Sequence, residues 1–176
     1  MRWSHLVPER GSVLDVACGS GRHMRWFYER NHAVTGVDIA EAAINSVASL
    51  GRTVLADIET GPWPFAGEAF DAVVVTNYLW RPRLADIVAA VAPGGVLLYE
   101  TFATGNETVG KPSRPDFLLQ PGELLAACAG LRVVAYENGF LDTPPRFVQR
   151  IAAVRPAAAP QENPARHGLR SGLASQ

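Results

Sequence analysis

Three carboxylates and two glycines in the N-terminal third of the chain are spaced for ligand chemistry. Asp15 stands in "LDVACGSGRH", Leu14 to His23, just ahead of Gly19 and Gly21. Glycines directly after an apolar run let the backbone turn tightly and leave room for a ligand. A helix beginning there would offer free N–H groups to an anion. Asp38 follows about 20 residues beyond the glycines, where an acid can accept hydrogen bonds from ribose hydroxyls. Asp57 supplies a third carboxylate, able to accept from an amino group such as adenine's and unhelpful beside a pyrophosphate. These residues alone fit a nicotinamide dinucleotide or an adenosyl ligand. The dinucleotide fingerprint wants a third glycine where this chain has Met24, so a pyrophosphate site is poorly supported. Plain structural readings stand beside these: a βα turn without a ligand, a turn cap at Asp15, a solvated strand-end carboxylate at Asp57.

The elements that must position these residues alternate. Ser12 to Cys18, Ala33 to Ile39 and Arg52 to Ile58 read as strands, with helices predicted over Gly21 to Arg30 and Glu41 to Leu50. A turn-rich stretch, "ETGPWPFAGEA", replaces the next helix. Phe70 to Asn77 is a fourth strand and Arg83 to Val91 a helix, with Asp86 on its exposed side. Pro93 to Gly95 stop that helix, and Val96 to Phe102 is a fifth strand. This alternation predicts an α/β fold: a doubly wound, Rossmann-like sheet, mostly parallel and covered on both faces. A long loop from Ala103 to Gln120 leads to a helix over Pro121 to Gly130. Leu131 to Tyr136 and Val148 to Val154 then lie too close for a crossover helix, which predicts an antiparallel C-terminal hairpin and seven strands in all. Residues 157–176 lack periodicity and large apolar side chains and read as a disordered tail behind a single domain, 1–156.

Composition excludes several classes. The 176 residues are 48% hydrophobic and 19% charged, with a net charge of −1. That suits one globular domain and gives no strong field for nucleic acid or an acidic membrane. Cys18 and Cys128 are too few for a disulfide framework, and the histidines show no ligand spacing, so no metal is expected. The N-terminus lacks a signal-peptide core, and no apolar run reaches about 18 residues. A cytoplasmic protein is the expectation.

With these motifs in order, the chain resembles the class I S-adenosylmethionine-dependent methyltransferases over roughly residues 11 to 155. "VLDVACGSG" is similar to their first motif, "VTGVDIA" to the second and "ADIETGPWPF" to the adenine-side loop. "FDAVVVTNYL" is similar to the fourth, and "APGGVLLYETF" to the turn and fifth strand. "GSGRH" and "PGELL" resemble the small bacterial tellurite-resistance-type branch. The resemblance implies S-adenosylmethionine as cofactor, with Asp15 orienting the glycine loop or meeting the methionine ammonium through water. Ala17, Cys18, Gly19 and Gly21 would line the methionine moiety, and His23 would contact its carboxylate. Asp38 would hold the ribose, Ile39 would pack on adenine, and Asp57 would accept from the adenine amino group with Ile58 beside it. Asn77 and Tyr78 would sit under the methionine end.

Methyl transfer from a sulfonium is an in-line displacement in which the protein mainly supplies alignment and a dry site. Tyr78, Trp80, Arg81, Glu100 and Thr101 fall where such sheets bind ligands. Arg114, with Lys111 in the same loop, could grip a carboxylate or oxyanion. Tyr78, Trp80 and Arg114 are the candidate substrate contacts, and no side chain stands out as a general base. The aromatics Trp26, Phe27 and Tyr28 are not interleaved with a basic patch, so a small-molecule acceptor is expected rather than nucleic acid. Two features leave open a catalytically inactive adenosyl-binding or regulatory module. Ala17 stands where the family usually has glycine, and only Met1 to Arg10 precede the first strand.

Overall fold

The computed structural model describes residues 2–157 and 165–169. Most of the expected tail, 157–176, therefore lies outside the described residues. Seven strands form one sheet: β1 Ser12–Val16, β2 Ala33–Asp38, β3 Arg52–Leu55, β4 Phe70–Thr76, β5 Val91–Phe102, β6 Arg132–Asp142 and β7 Pro145–Val154. Their order is β3-β2-β1-β4-β5-β7-β6. The first five pair in parallel, while β7 runs antiparallel to both β5 and β6. The chain winds outward from β1 through β2 to β3, then returns to β4 and winds the other way. The switch point thus lies between β1 and β4, where open α/β sheets bind ligands beyond the carboxyl ends of their strands.

Four short helices cover the sheet: α1 Arg22–Tyr28, α2 Glu41–Val47, α3 Leu84–Ala89 and α4 Glu123–Ala127. On one face, Met24 and Phe27 of α1 and Ile44 and Val47 of α2 pack on Val13, Val34, Val74 and Leu98. On the other, Ile87 of α3 and Leu124 of α4 pack with Phe65 on Leu14, Val73, Val75 and Leu97. Met24 and Phe27 are fully buried, and burial of such side chains contributes roughly 1.5–3 kcal/mol each. Of the α1 aromatics, Phe27 is core and Tyr28 is about half exposed. The Arg30 guanidinium stacks 3.8 Å from the Trp26 ring centre.

The helices are each shorter than the sequence reading, and β3 ends at Leu55, which leaves Asp57 and Ile58 in the loop beyond it; two further boundaries differ in β5 and the hairpin. β5 begins at Val91, ahead of the "PGG" turn. Phe70 pairs with Val91 and Ala72 with Val96, so the turn is an irregularity inside the strand rather than a stop before it. Gly94 makes this possible by adopting φ +81°, and its N–H donates to the Arg155 carbonyl at 2.9 Å. The terminal hairpin is also longer than expected. β7 starts at Pro145, which places Arg146 in the strand and on the same face as Arg150.

Candidate active site

The glycine loop is built by backbone geometry. Gly19 and Gly21 take φ +52° and +73°, in the left-handed region where side chains are disfavoured. A Cβ on Gly21 would lie 2.2 Å from Val47 Cγ1, whereas one on Gly19 would meet nothing within 4 Å. The first glycine thus borders open space, and the second is required for packing against α2. Ala17, where the resembling family usually has glycine, also takes a positive φ of 53°, so this chain makes the same turn with an alanine. Asn77, after β4, has φ 56°, which asparagine tolerates better than most residues. The Cys18 N–H donates to the Val37 carbonyl at 3.0 Å and ties the loop to β2. The Cys18 thiol is buried and pushed up to about 12, chiefly by desolvation, so it stays protonated.

Asp38 holds this loop open. Its Oδ2 accepts from the Gly19 N–H at 2.8 Å and its Oδ1 from the Ala40 N–H at 2.9 Å. Asp57 shapes the next loop in the same way. Its carboxylate accepts from the Glu59 and Thr60 N–H groups at 2.9 and 3.1 Å and from the Thr60 hydroxyl at 2.5 Å. That hydroxyl bond, more than the two amides, holds the Asp57 carboxyl below its usual range. Arg83, the residue just before α3, braces this loop. It donates to the Ile58 carbonyl at 2.6 Å, to the Gly61 carbonyl, and to Asp86 at 2.9 Å.

A cavity of about 300 Å³ opens at the ends of β1 to β4, lined by Ala17, Asp38, Ile39, Asp57, Ile58 and Tyr78 among others. Ile39 is 66% exposed at its rim, an apolar side chain with nothing covering it. The Tyr78 hydroxyl is buried without a hydrogen-bond partner, and burial pushes its pKa up. Tyr78 faces this cavity, whereas the resemblance had placed it under the methionine end.

A second cavity of about 300 Å³ lies on the α1 side of the sheet. It is lined by Arg2 and Trp3 from the N-terminus, Arg22 and His23 from α1, Thr76 at the end of β4, Glu100 of β5, and Arg146 and Arg150 of β7. Asp15, in β1, belongs to neither lining; it is 3% exposed, and its Oδ2 is buried with no partner. Desolvation raises its pKa to about 8, against the lowering influence of the Met24 N–H and Arg22. His23 Nδ1 lies 3.9 Å from Asp15 Oδ1, and burial first, then Arg22, lowers the imidazole to about 4. In both groups burial disfavours the charged form.

The remaining candidates lie elsewhere. Trp80 lines neither cavity, and its buried Nε1 has no partner. Arg114 is 72% exposed, paired with Asp116 at 2.8 Å, and lines neither cavity. Arg81 is structural: it bonds Glu123 and the Asp116 and Leu118 carbonyls, pinning the 103–120 loop. The arginines of the second cavity were missed by the sequence reading. Their one local signal is the spacing of Arg146 and Arg150, which share a strand face.

Residues 13–95 match the family model for "Methyltransferase domain". The match takes in β1 to β4 and the start of β5, just under half of the chain. Over 100 residues it is 33% identical to malonyl-[acyl-carrier protein] O-methyltransferase of Serratia marcescens, covering 53% of this chain and 39% of that relative. Over 160 residues it is 27% identical to tRNA U34 carboxymethyltransferase of Klebsiella pneumoniae, covering 80% of this chain and 48% of that relative. The chain thus spans about half, or less, of the length of these curated relatives. Its fold matches a TehB-like SAM-dependent methyltransferase from Corynebacterium glutamicum with a TM-score of 0.64 at 19% identity, covering 87% of this chain and 86% of that one. Similarity to the methyltransferase family implies S-adenosylmethionine as the methyl donor. The residues present leave open space beside Gly19 and orphaned polar atoms on Asp15 and Tyr78.

Proposed function

We propose that this chain transfers a methyl group from S-adenosylmethionine to a small-molecule acceptor by in-line displacement. The observation that carries the reading is the cavity at the switch point, where the ends of β1, β2 and β3 bring Ala17, Asp38, Ile39 and Asp57 together. Asp38 would receive the ribose hydroxyls, Ile39 would cover adenine, and Asp57 and Ile58 would meet its edge. The loop from Ala17 to Gly21, with Cys18 and Gly19, would carry the methionine moiety over Asp15. Asn77 and Tyr78 would close the floor beyond β4.

The bound sulfonium supplies the activation. The protein then has to align the acceptor and exclude water. His23 lines the second cavity and is unprotonated at neutral pH, but a pKa of about 4 makes it a weak base. Glu100 is tied to Arg150 at 2.6 Å and Arg146 at 3.4 Å. An acceptor that is already nucleophilic suits this setting better than an alcohol needing deprotonation.

Calorimetry with S-adenosylhomocysteine tests the reading. Micromolar binding is expected, on the order of −8 kcal/mol, with NAD much weaker. No heat and no thermal shift at millimolar ligand would remove the cofactor assignment. A screen of acceptors with released S-adenosylhomocysteine as readout tests turnover. Binding without turnover on any acceptor would favour a regulatory adenosyl-binding module.

A further inference from the structure

The cavity on the α1 side carries more positive charge than its own carboxylates balance. Five groups alternate around one wall. Arg2 pairs with Glu137 at 2.6 Å, and Glu137 with Arg150 at 3.3 Å. Arg150 pairs with Glu100 at 2.6 Å, and Glu100 with Arg146 at 3.4 Å. The row follows from sheet register, since Arg150 sits opposite Glu100 on one side and Glu137 on the other. Arg22 stands across from it on α1 with no carboxylate in ion-pair range among the described residues. Four guanidiniums therefore face two glutamates, and burial disfavours the charged forms of the nearby Asp15 and His23. One donor is left over inside: Arg146 Nε is buried and has no hydrogen-bond partner. Buried donors are almost always satisfied, so an unpaired N–H on an arginine that lines the cavity marks unmet donor capacity in its wall. Guanidinium forks match the paired oxygens of an oxyanion.

We infer that this cavity is the acceptor site and that it recognises an oxyanion, carboxylate or phosphate, on the acceptor through Arg146, with Arg150, Arg2 and Arg22 supplying the field. The inference rests on the proposed methyltransferase reading for the word acceptor, though the anion site itself does not. Arg22 follows the glycine loop directly and is also within reach of a cofactor carboxylate. Arg146, on β7, is the residue that separates the two roles.

The test uses the full chain saturated with S-adenosylhomocysteine, so that the cofactor's own carboxylate is already in place. Malonate, inorganic phosphate and neutral malonamide are titrated by calorimetry, with thermal melting in parallel. Malonate or phosphate is expected to bind and to weaken as ionic strength rises, and malonamide is expected not to. The stronger of the two anions identifies which oxyanion the cavity prefers. Arg146→Gln should lose at least about tenfold in anion affinity while S-adenosylhomocysteine affinity changes less than about twofold. Arg2→Gln, more exposed at the rim, should lose less and guards against a folding failure at Arg146. Equal binding of malonate and malonamide, or anion binding unchanged in both variants, would overturn the proposal. If S-adenosylhomocysteine itself fails to bind, the methyltransferase reading fails. The same anion titrations without it then judge the cavity alone.

Discussion

Asp38 ties down the glycine loop, and in the proposed reading it also receives the ribose. Its oxygens accept the Gly19 and Ala40 N–H groups, yet an ionised carboxylate has about four lone-pair sites. Two remain for ribose hydroxyls. Asp38→Ala should therefore lower S-adenosylhomocysteine affinity about 10- to 100-fold or more, since hydrogen bonds to a charged group contribute roughly 1.5–3 kcal/mol each. It should also lower stability slightly by freeing the loop. Asp38→Asn should recover part of both losses. Asp86 looked like a neutral control in sequence, but it pairs with Arg83 and helps brace the Asp57 loop. Exposed Glu9 is the better control, and equal affinity in Asp38→Ala and Glu9→Ala would end the ribose assignment. Asp15 yields a pH prediction. Its folded pKa of about 8 lies above the ordinary 3.8. The neutral carboxyl's contribution is thus fully present below 3.8 and is lost as pH rises toward 8. Asp15→Asn cannot ionise, so its stability relative to the parent should climb by about 1.4 kcal/mol per pH unit across that window. Urea unfolding of both proteins at pH 5 and 7.5 measures this, and parallel pH profiles would show that Asp15 ionises freely in the folded chain.

Each element around the site holds its neighbour, and the glycine loop separates packing from ligand space. Gly21→Ala adds a methyl against Val47 of α2 on top of left-handed strain. Strain of about 1–2 kcal/mol and overpacking of about 1–3 kcal/mol should together lower the melting temperature markedly. Gly19→Ala pays only the strain, but its methyl projects into open space beside the loop. It should melt higher than Gly21→Ala and still bind S-adenosylhomocysteine worse than the parent. The reverse order of melting temperatures would mean that α2 yields to the added methyl. Much of this was legible in sequence, because a glycine loop between an apolar strand and a helix is a local pattern. The arginine-lined cavity was not. Arg146 lay outside the strand as read from the sequence, and Glu100 meets Arg150 through a register between strands some 50 residues apart. Pairing of that kind is set by the whole sheet, not by neighbours in the chain.

At the scale of the molecule, the sheet order concentrates the chemistry at one edge. β1 and β4 are adjacent in space but separated by three crossovers in sequence, so the strand ends after Asp15, Asp38 and Thr76 converge at one crevice. The α/β class was legible because buried parallel strands read as continuous apolar runs. The antiparallel hairpin was legible because no crossover fits between its strands. Just beyond β7, Arg155 still donates to the Val88, Val91 and Gly95 carbonyls, and the described residues after it bury little. Among the described residues of the C-terminal stretch, Leu169 is 74% exposed, so it contributes almost no apolar burial. One polar contact is present: His5 Nε2 lies 2.8 Å from the Gly168 carbonyl oxygen, at the surface. An exposed hydrogen bond of that kind contributes at most about 1 kcal/mol. Removing residues 157–176 should therefore leave S-adenosylhomocysteine affinity unchanged and move the melting temperature by no more than a few degrees. A larger drop in melting temperature, reproduced by His5→Ala in the full chain, would show that this segment docks on the N-terminal turn. Because Trp3, near His5, lines the oxyanion cavity, such docking would also weaken malonate or phosphate binding in the truncated protein.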